Sequence, residues 1–256
     1  MATPRVIALA GKGGTGKTTT AALLLKYLLE RQKTPVLLVD ADPNANLNEL
    51  LGLKVGLTVG GVRKEIKGEI PAHISRDQFM EMKLHQALIE ETGFDLLVMG
   101  QPDGPGCYCA ANQFLAMSMD RLARNYRYIL VDNEAGMEHL SRLNLTAIDH
   151  LLVLSDPSAR GVMTAGRISE LVIPLKLKVA AKWLIVNRTP EPPPLALMAR
   201  IEETVREAGL PLAGLIPASD DLVSRELSGD SYLGLDPGLP VLRRAWEIFD
   251  RVFAAG

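Results

Sequence analysis

The sequence has neither a strong excess of charge nor a long apolar run. Across 256 residues the formal net charge is −2, which gives no overall attraction for nucleic acid or for an anionic membrane. No stretch approaches the roughly 18 uninterrupted apolar residues of a membrane-spanning helix. The first residues hold only a short apolar run before a glycine-rich loop and do not predict a signal peptide. These absences predict a soluble protein that binds neither nucleic acid nor membrane.

Cysteine is also scarce, because the chain has two, Cys107 and Cys109. Two cysteines cannot form a disulfide framework, which is typical of a reducing, cytoplasmic setting. Repeats and low-complexity tracts are absent. Hydrophobic residues make up 47% of the chain and charged residues 23%, as in an average globular protein. A chain of this length can bury a substantial core without cross-links.

Short apolar runs alternate with segments of helical spacing. Nearly continuous runs predict strands buried on both faces at 5–10, 35–40, 94–100, 126–132, 150–156, 181–188 and 212–217. Helical spacing marks 18–32, 112–124, 159–172, 194–209 and 239–253. The alternation predicts an α/β fold with a doubly wound, mostly parallel sheet. We expect one domain over 1–256, with an irregular insertion at about 55–93 that contains a helix at 76–91.

The stretch GKGGTGKT lies between the first predicted strand and the first predicted helix. It fits the P-loop pattern GxxxxGK[ST], in the strand-to-helix context that the pattern needs. Glycines let backbone N–H groups wrap a phosphate, and the helix start adds its positive dipole end. We therefore expect ATP or ADP with Mg²⁺, with Lys17 on the β- and γ-phosphates and Thr18 on the metal. The predicted nucleotide contacts in this loop are Gly11, Lys12, Gly13, Gly14, Thr15, Gly16, Lys17, Thr18 and Thr19.

A second lysine, Lys12, stands near the start of this loop. This variant resembles the deviant Walker A motif of the dimeric P-loop ATPases. That family includes the nitrogenase iron protein, septum-positioning and plasmid-partitioning ATPases, and arsenite-pump ATPases. In it the early lysine reaches the nucleotide of the partner subunit, so the resemblance implies a nucleotide-dependent homodimer with Lys12 acting in trans. Taken alone, Lys12 also fits a solvated loop charge.

An acidic segment, VDADPNAN, ends the second predicted strand. The family keeps an aspartate before a proline here, which implies that Asp42 orients the attacking water. Asp40 would support Mg²⁺ or the loop itself. The nitrogenase iron protein has a further carboxylate where this chain has Asn46, which argues against electron-transfer coupling of that kind.

Two later strand ends agree with the same resemblance. In YILVDNEAG, it implies that Asp132 holds Mg²⁺ through a water, while Glu134 stands where the family often has a proline. In IVNR and LIPASDD, it implies that Asn187 binds adenine, with Arg188 and Pro217 beside the nucleotide. Taken alone, an asparagine after a buried strand is common in turns.

The stretch GPGCYCAANQ holds both cysteines behind Gly-Pro-Gly. A disulfide between Cys107 and Cys109 would close a tight, strained ring, and two packing thiols are an alternative. In an extended backbone, residues two apart face the same way, so both thiolates would point at one ion. A closed zinc or iron–sulfur site takes four ligands. A homodimer supplies four when two such loops meet on its axis.

GCYCAAN, followed by VDNEAGMEHLSR, resembles the CooC-type accessory ATPases that mature nickel carbon monoxide dehydrogenase and acetyl-CoA synthase. The resemblance covers most of the chain. It implies an ATP hydrolase that binds Ni²⁺ or Zn²⁺ through Cys107 and Cys109 and delivers nickel to a client enzyme. Glu138 or His139 would couple nucleotide-driven movement to the metal loop, although an ordinary surface role fits His139 equally.

Two other functions stay open on the sequence. One is an iron–sulfur protein of the same fold, with a [4Fe–4S] cluster bridged by four cysteines, that acts as an ATP-gated reductase or cluster scaffold. The other is a partitioning or positioning ATPase that binds DNA or membrane. That function needs a basic patch or a basic amphipathic helix, and the last helix has three arginines against one glutamate and one aspartate.

Overall fold

The apolar runs of the sequence form one eight-stranded sheet in the computed structural model. The structure describes residues 3–68, 70–71, 73–101, 108–137, 140 and 147–254. The strands are β1 Arg5–Gly11, β2 Val36–Asp40, β3 Leu88–Glu91, β4 Phe94–Val98, β5 Tyr128–Asp132, β6 Ile148–Ser155, β7 Val179–Thr189 and β8 Leu212–Pro217. Their order across the sheet is β3-β4-β2-β5-β1-β6-β7-β8. Only β3 runs antiparallel to its neighbour among these strands.

Helices connect the strands and cover both faces of the sheet. They are α1 Lys17–Glu30, α2 Leu47–Leu51, α3 Val59–Lys67, α4 Arg76–Ala87, α5 Tyr108–Leu122, α6 Ala159–Glu170, α7 Leu195–Ala208, α8 Asp220–Ser228 and α9 Pro240–Ala254. Short 3₁₀ turns follow α5 and α8, at Ala123–Asn125 and Tyr232–Gly234. Within the described ranges, no helix is long and apolar enough to span a bilayer.

Alternation along each strand divides the core into two clusters. In β1, Ile7 and Leu9 pack with α1 and α9, whereas Ala8 and Ala10 face the cluster that includes α3 to α7. All four side chains are fully buried. The sequence of a strand that is covered on both faces is a nearly continuous apolar run. The α/β fold with a doubly wound, mostly parallel sheet, as predicted from those runs, is therefore confirmed.

The predicted helix at 76–91 is wrong over its last four residues. Helix α4 ends at Ala87, and Leu88–Glu91 form the antiparallel edge strand β3, paired with β4. The hairpin turns at Gly93, which has φ of 88°, a conformation that glycine adopts without a steric penalty. Pairing with β4 therefore replaces the last helical turn. The sequence analysis also missed α2, α3 and α8.

Helix α5 begins at Tyr108, four residues earlier than predicted. Cys109 therefore has a helical backbone, and the extended backbone expected for the cysteine pair is not found there. Alanines at 110 and 111 favour the helix, which explains the early start. Cys107 lies outside the described residues, and so does the relation between the two thiols.

The segment at 55–93 shares the core of the sheet. Val59 and Val62 of α3 and Leu84 of α4 are buried in the same cluster as Val39 and Leu97 of the central strands. Helix α4 begins with a capping box, in which Ser75 and Gln78 satisfy each other's backbone N–H groups. The segment forms a helical layer over one end of the sheet.

Candidate functional site

A cavity of 690 Å³ opens at the carboxyl ends of the central strands. Ligand sites of open α/β sheets lie at this edge, where loops from neighbouring strands meet. Six of the nine predicted nucleotide contacts in the loop after β1 line it, and they are joined by Asp42 and Glu134. These six are Gly13, Gly14, Gly16, Lys17, Thr18 and Thr19.

The phosphate loop bends sharply before α1. Gly16 has φ of 86° and precedes the first helical residue, Lys17. A Cβ at Gly16 would overlap the side-chain nitrogen of Asn187. At Gly11, a Cβ would lie 2.6 Å from the carbonyl oxygen of Leu154. These two positions therefore require glycine for space, and Gly16 also requires it for its backbone conformation.

Lys17 is held inside the loop that it follows. Its Nζ donates hydrogen bonds to the carbonyls of Gly11, at 3.3 Å, and Lys12, at 3.2 Å. Burial lowers the pKa of Lys17, and the nearby carboxylates of Asp132, Asp42 and Glu134 oppose that shift. The three carboxylates favour the charged ammonium, which is the form that binds a phosphate.

Two aspartates shape the loop that follows β2. The buried carboxylate of Asp40 accepts hydrogen bonds from the backbone N–H groups of Asp42 and Leu47, both at 3.1 Å. It therefore bridges both ends of the loop, which matches the supporting role expected for it. Burial raises the pKa of Asp40 to about 6. Asp42 reaches the cavity and accepts from the N–H of Asn44, at 2.9 Å.

Asp132 ends the neighbouring strand β5, in register with Asp40. Its side chain is 1% exposed, and it accepts a hydrogen bond from Thr18. The other carboxylate oxygen, Oδ1, has no partner within the described residues. Burial raises the pKa of Asp132 to about 7, and the Asp40 charge adds to that shift. An unpartnered buried oxygen beside a hydroxyl suits a hydrated Mg²⁺, because a cation there restores the charged form. The residues present therefore fit the metal.

The segment after Asp132 is tied to the phosphate loop. The N–H of Gly136 donates to the carbonyl of Gly11 at 3.0 Å, and the Asn133 amide donates to the carbonyl of Leu9 at 3.0 Å. Residues 133–136 are therefore hydrogen-bonded to the end of β1, where the chain enters the phosphate loop. Glu138 and His139, which the sequence analysis places in a coupling role, lie outside the described residues.

The predicted adenine contact, Asn187, is buried against the phosphate loop. Its Nδ2 donates to the carbonyl of Thr15 at 3.1 Å, and its Oδ1 accepts from the N–H of Arg188. Arg188 lines the cavity and donates to the carbonyl of Gly14. Asn187 and Pro217 are not among the cavity-lining residues, so an adenine contact by either stays a prediction.

Several residues of the cavity were not predicted from the sequence. They come from the loop after β2, from α2 and from the region of α8, and they are Asn44, Glu49, Leu50, Arg225, Glu226, Gly229 and Asp230. Ser231, which follows α8, connects this region to the end of α2, because its hydroxyl donates to the carbonyl of Leu51 at 2.7 Å. The only local signals in the sequence were the helix cap at Ser219 and the glycine at 229, which mark a short helix but not its neighbours.

The chain before the cysteines contacts the loop that carries Asp42. The Gln101 Nε2 atom donates to the Oδ1 atom of Asn44 at 3.3 Å. Cys107 lies outside the described residues, and of Cys109 only the helical backbone is described. Among the described residues, no group of three or more His, Cys, Asp or Glu side chains converges on a possible metal position.

Comparison with known proteins agrees with this geometry. Residues 6–232 match the CobQ/CobB/MinD/ParA nucleotide-binding domain. An uncharacterised ATP-binding protein of Methanocaldococcus jannaschii is 38% identical over 253 residues, which cover 96% of this chain and 98% of that protein. The carbon monoxide dehydrogenase accessory protein CooC of Rhodospirillum rubrum is 28% identical over 245 residues, which cover 90% of each chain.

A solved structure shows the same fold. The septum site-determining protein MinD of Pyrococcus horikoshii, complexed with Mg-ADP, superposes with a TM-score of 0.71 at 21% identity. The match covers 99% of this chain and 98% of MinD. The eight-stranded sheet and its helical layers therefore correspond to those of a nucleotide-binding protein.

Proposed function

Because the chain belongs to the CobQ/CobB/MinD/ParA family of nucleotide-binding domains, we propose that it is a homodimeric ATPase that delivers nickel to an enzyme of the carbon monoxide dehydrogenase or acetyl-CoA synthase type. The observation that carries the proposal is the hydrogen bond between Gln101 and Asn44. It joins the segment that leads to Cys107 and Cys109 to the loop that carries Asp42. The similarity to CooC over 90% of each chain supports the same function.

The hydrolytic step uses Lys17, Thr18 and Asp42, which line one cavity, and Asp132, which accepts a hydrogen bond from Thr18. Water attacks the γ-phosphorus of ATP, the bond to the β-phosphate oxygen breaks, and ADP and phosphate form. Asp42 orients the water, and Lys17 stabilises the charge that develops on the phosphates. Thr18 and Asp132 would hold Mg²⁺, which supplies further charge stabilisation there when it is bound.

Lys12 completes the site from the partner subunit. Its side chain is exposed and makes no ion pair or hydrogen bond within the described residues. By contrast, its backbone carbonyl accepts hydrogen bonds from the Thr15 hydroxyl and the Lys17 ammonium. The backbone is therefore fixed while the ammonium is available to a second copy. Such a lysine would make hydrolysis depend on dimer formation.

Nickel, or zinc in its place, is the cargo. Four soft thiolates, from Cys107 and Cys109 of each subunit, would hold one borderline ion between two copies. Hydrolysis would move the Asp42 loop, and the Gln101 contact would pass that movement to the cysteine segment. Opening of the four-thiolate site would then release the ion to the client enzyme.

Native mass spectrometry tests this proposal directly. The purified protein is measured with ADP or ATP, with Ni²⁺ or Zn²⁺, and beside the variant Cys107→Ser/Cys109→Ser. We expect one metal ion per dimer, lost in the serine variant and retained in His85→Ala, which removes an exposed histidine on α4. Four irons and four sulfides per dimer would instead establish the [4Fe–4S] reductase or scaffold. A nucleotide-dependent dimer without metal would refute nickel delivery.

A positioning or partitioning ATPase is the second candidate, because the family is named after MinD and ParA. A membrane-bound version needs an exposed amphipathic helix. The apolar face of α9 is buried, with Leu242, Ile248 and Phe249 each no more than 2% exposed. Vesicle co-sedimentation with anionic lipid, with and without ATP, distinguishes the two candidates. ATP-dependent vesicle or DNA binding would favour positioning.

A further inference from the structure

A second concave surface, outside the nucleotide site, opens between α3, α4 and α5. This groove has a volume of 390 Å³. Its floor is apolar and consists of Ile66, Met80, Phe114 and Met117. Ile66 and Met80 are each 7% exposed, whereas Met117 is 45% exposed. Methionine side chains are flexible and polarisable, and they adapt to varied apolar partners. The floor is therefore suited to receive side chains from another molecule.

The rim of the groove is basic. It carries three arginines, Arg63, Arg76 and Arg121, against one acid, Asp77. Arg121 lies 3.4 Å from the Asp77 carboxylate in an exposed pair. In the described part of the chain, Arg63 and Arg76 have no carboxylate within ion-pair distance. The excess of positive charge at this rim contrasts with the net charge of −2 of the whole chain.

The shape and charge favour a protein segment over a small anion. On α5, Gln113, Met117 and Arg121 follow one another at four-residue spacing and lie on one side of the helix. The three arginines come from three different helices, and apolar side chains line the same groove. A phosphate-like anion needs donors gathered at one point, whereas an amphipathic helix needs an apolar groove with charges along its edges. The complementary segment has an apolar face flanked by Asp or Glu.

The position of the groove indicates what it recognises. Its α5 wall belongs to the helix whose first turn contains Cys109. At about 1.5 Å per helical residue, Met117 lies about 12 Å along the axis from Cys109. A segment bound in the groove would therefore hold its own protein within a few helical turns of the cysteine pair.

We propose that this groove is the docking site for an acidic amphipathic helix of the client nickel enzyme. The inference rests on the proposed function and names the surface that brings the client to the cargo. Charged rim residues mainly steer association and exclude wrong partners, while the apolar floor supplies contact area. The docked client would receive the ion released when the dimer opens.

The experiment measures activation of purified, nickel-deficient carbon monoxide dehydrogenase. The nickel-loaded protein is titrated into it with Mg-ATP, and recovered carbon monoxide oxidation is recorded. The test variants are Arg63→Glu/Arg121→Glu and, on the apolar floor, Met117→Glu. The control, Arg206→Glu/Arg243→Glu, makes the same change in net charge at exposed positions on α7 and α9. Circular dichroism, ATP binding and metal content are measured for every protein.

We expect the test variants to keep their fold, ATP binding and metal, because their side chains lie outside the nucleotide cavity. Half-maximal activation should need about tenfold more of either test variant, as expected when interface charges are reversed or an apolar contact is lost. The control should match the unmodified protein.

Three results would overturn the inference. If the test variants activate the client as well as the control does, docking here is wrong and nickel delivery stands. If the unmodified protein binds metal but does not activate the client, the proposed function fails together with the docking site. Loss of the nucleotide-dependent dimer in the test variants alone would assign the groove to a second copy of this chain.

Discussion

The side-chain amide of Asn187 donates a hydrogen bond to the backbone carbonyl of Thr15, 3.1 Å away and 172 residues earlier in the chain. A residue at the end of β7 therefore fixes the phosphate loop that follows β1. The same side chain accepts from the N–H of Arg188, whose guanidinium donates to the carbonyl of Gly14. The phosphate loop is thus held from outside by two adjacent residues.

Replacement of this amide should weaken the binding of all nucleotides to the same extent. We expect Asn187→Ala to raise the Kd for Mg-ATP and for Mg-GTP by about fivefold each, because a buried hydrogen bond of this kind contributes on the order of 1 kcal/mol. Isothermal titration with both nucleotides measures the two losses. A loss confined to ATP would show that Asn187 reads the adenine base instead, which is the role that the family resemblance implies.

Gly16 and Asn187 should be coupled in stability. Gly16→Ala places a Cβ against the Asn187 amide and a side chain at φ of 86°, so we expect a loss of about 2 kcal/mol or more in the free energy of unfolding. In Gly16→Ala/Asn187→Ala the overlap is removed and only the backbone strain remains. Denaturant unfolding of the four proteins gives the coupling energy. Strict additivity would contradict the contact.

Lys12 should act on the nucleotide of the other subunit. We expect Lys12→Gln to bind Mg-ATP normally and to lose most of its hydrolysis, and we expect Asp42→Asn to lose hydrolysis through its own site. Mixed in equal amounts, the two inactive proteins should recover about a quarter of the normal rate, because half of the dimers are mixed and each has one complete site. A phosphate-release assay on the mixture measures this. No recovery would place Lys12 in its own active site.

His150 should make the fold sensitive to acid. Its side chain is 2% exposed, and its Nδ1 atom has no hydrogen-bond partner within the described residues. Burial lowers the pKa of His150 below 6.5, while the Asp149 charge opposes the shift. The unfolded chain therefore binds a proton at a higher pH than the folded chain does, so stability is lost as pH falls through the unfolded pKa.

Urea denaturation at pH 7.5 and pH 5.5 measures this effect. We expect the unmodified protein to lose on the order of 1 kcal/mol more than His150→Gln across that interval. The comparison with the variant cancels contributions of other groups, such as Asp40, whose raised pKa acts in the opposite direction. Equal losses in the two proteins would show that His150 titrates in the folded protein as it does in the unfolded one.

The sequence predicted those parts of the fold that depend on neighbouring residues in the chain. The seven predicted strands and the phosphate loop depend on apolar runs and on glycines next to a helix start, so they are readable from adjacent residues. The strand β3 was missed because its sequence also fits a helical pattern. Pairing with β4, which local sequence does not reveal, makes these residues a strand. The early start of α5 was missed because the Gly-Pro-Gly sequence suggested a longer loop.

In the candidate site, too, the residues that belong to sequence motifs were predictable and the long-range contacts were not. Lys17, Asp42 and Asp132 follow from motif positions, and the structure brings all three to one edge of the sheet. The links from Asn187 to Thr15 and from Gln101 to Asn44 join residues far apart in the chain. Such pairs depend on how loops from different strands meet, for which a single sequence carries no periodic signal.

The two edges of the sheet are poorly suited to pairing with a strand of another copy. The strand β3 has four residues and ends in the exposed Glu90 and Glu91, and on β8 the Arg251 guanidinium donates to the carbonyl of Ala213 at 2.7 Å. A short charged strand and an edge carbonyl that is already hydrogen-bonded are poor templates for a further strand. Strand-to-strand polymerisation is therefore disfavoured even at high concentration. The proposed dimer would therefore meet through the loops at the carboxyl ends of the strands, which would place its assembly under the control of the nucleotide bound there.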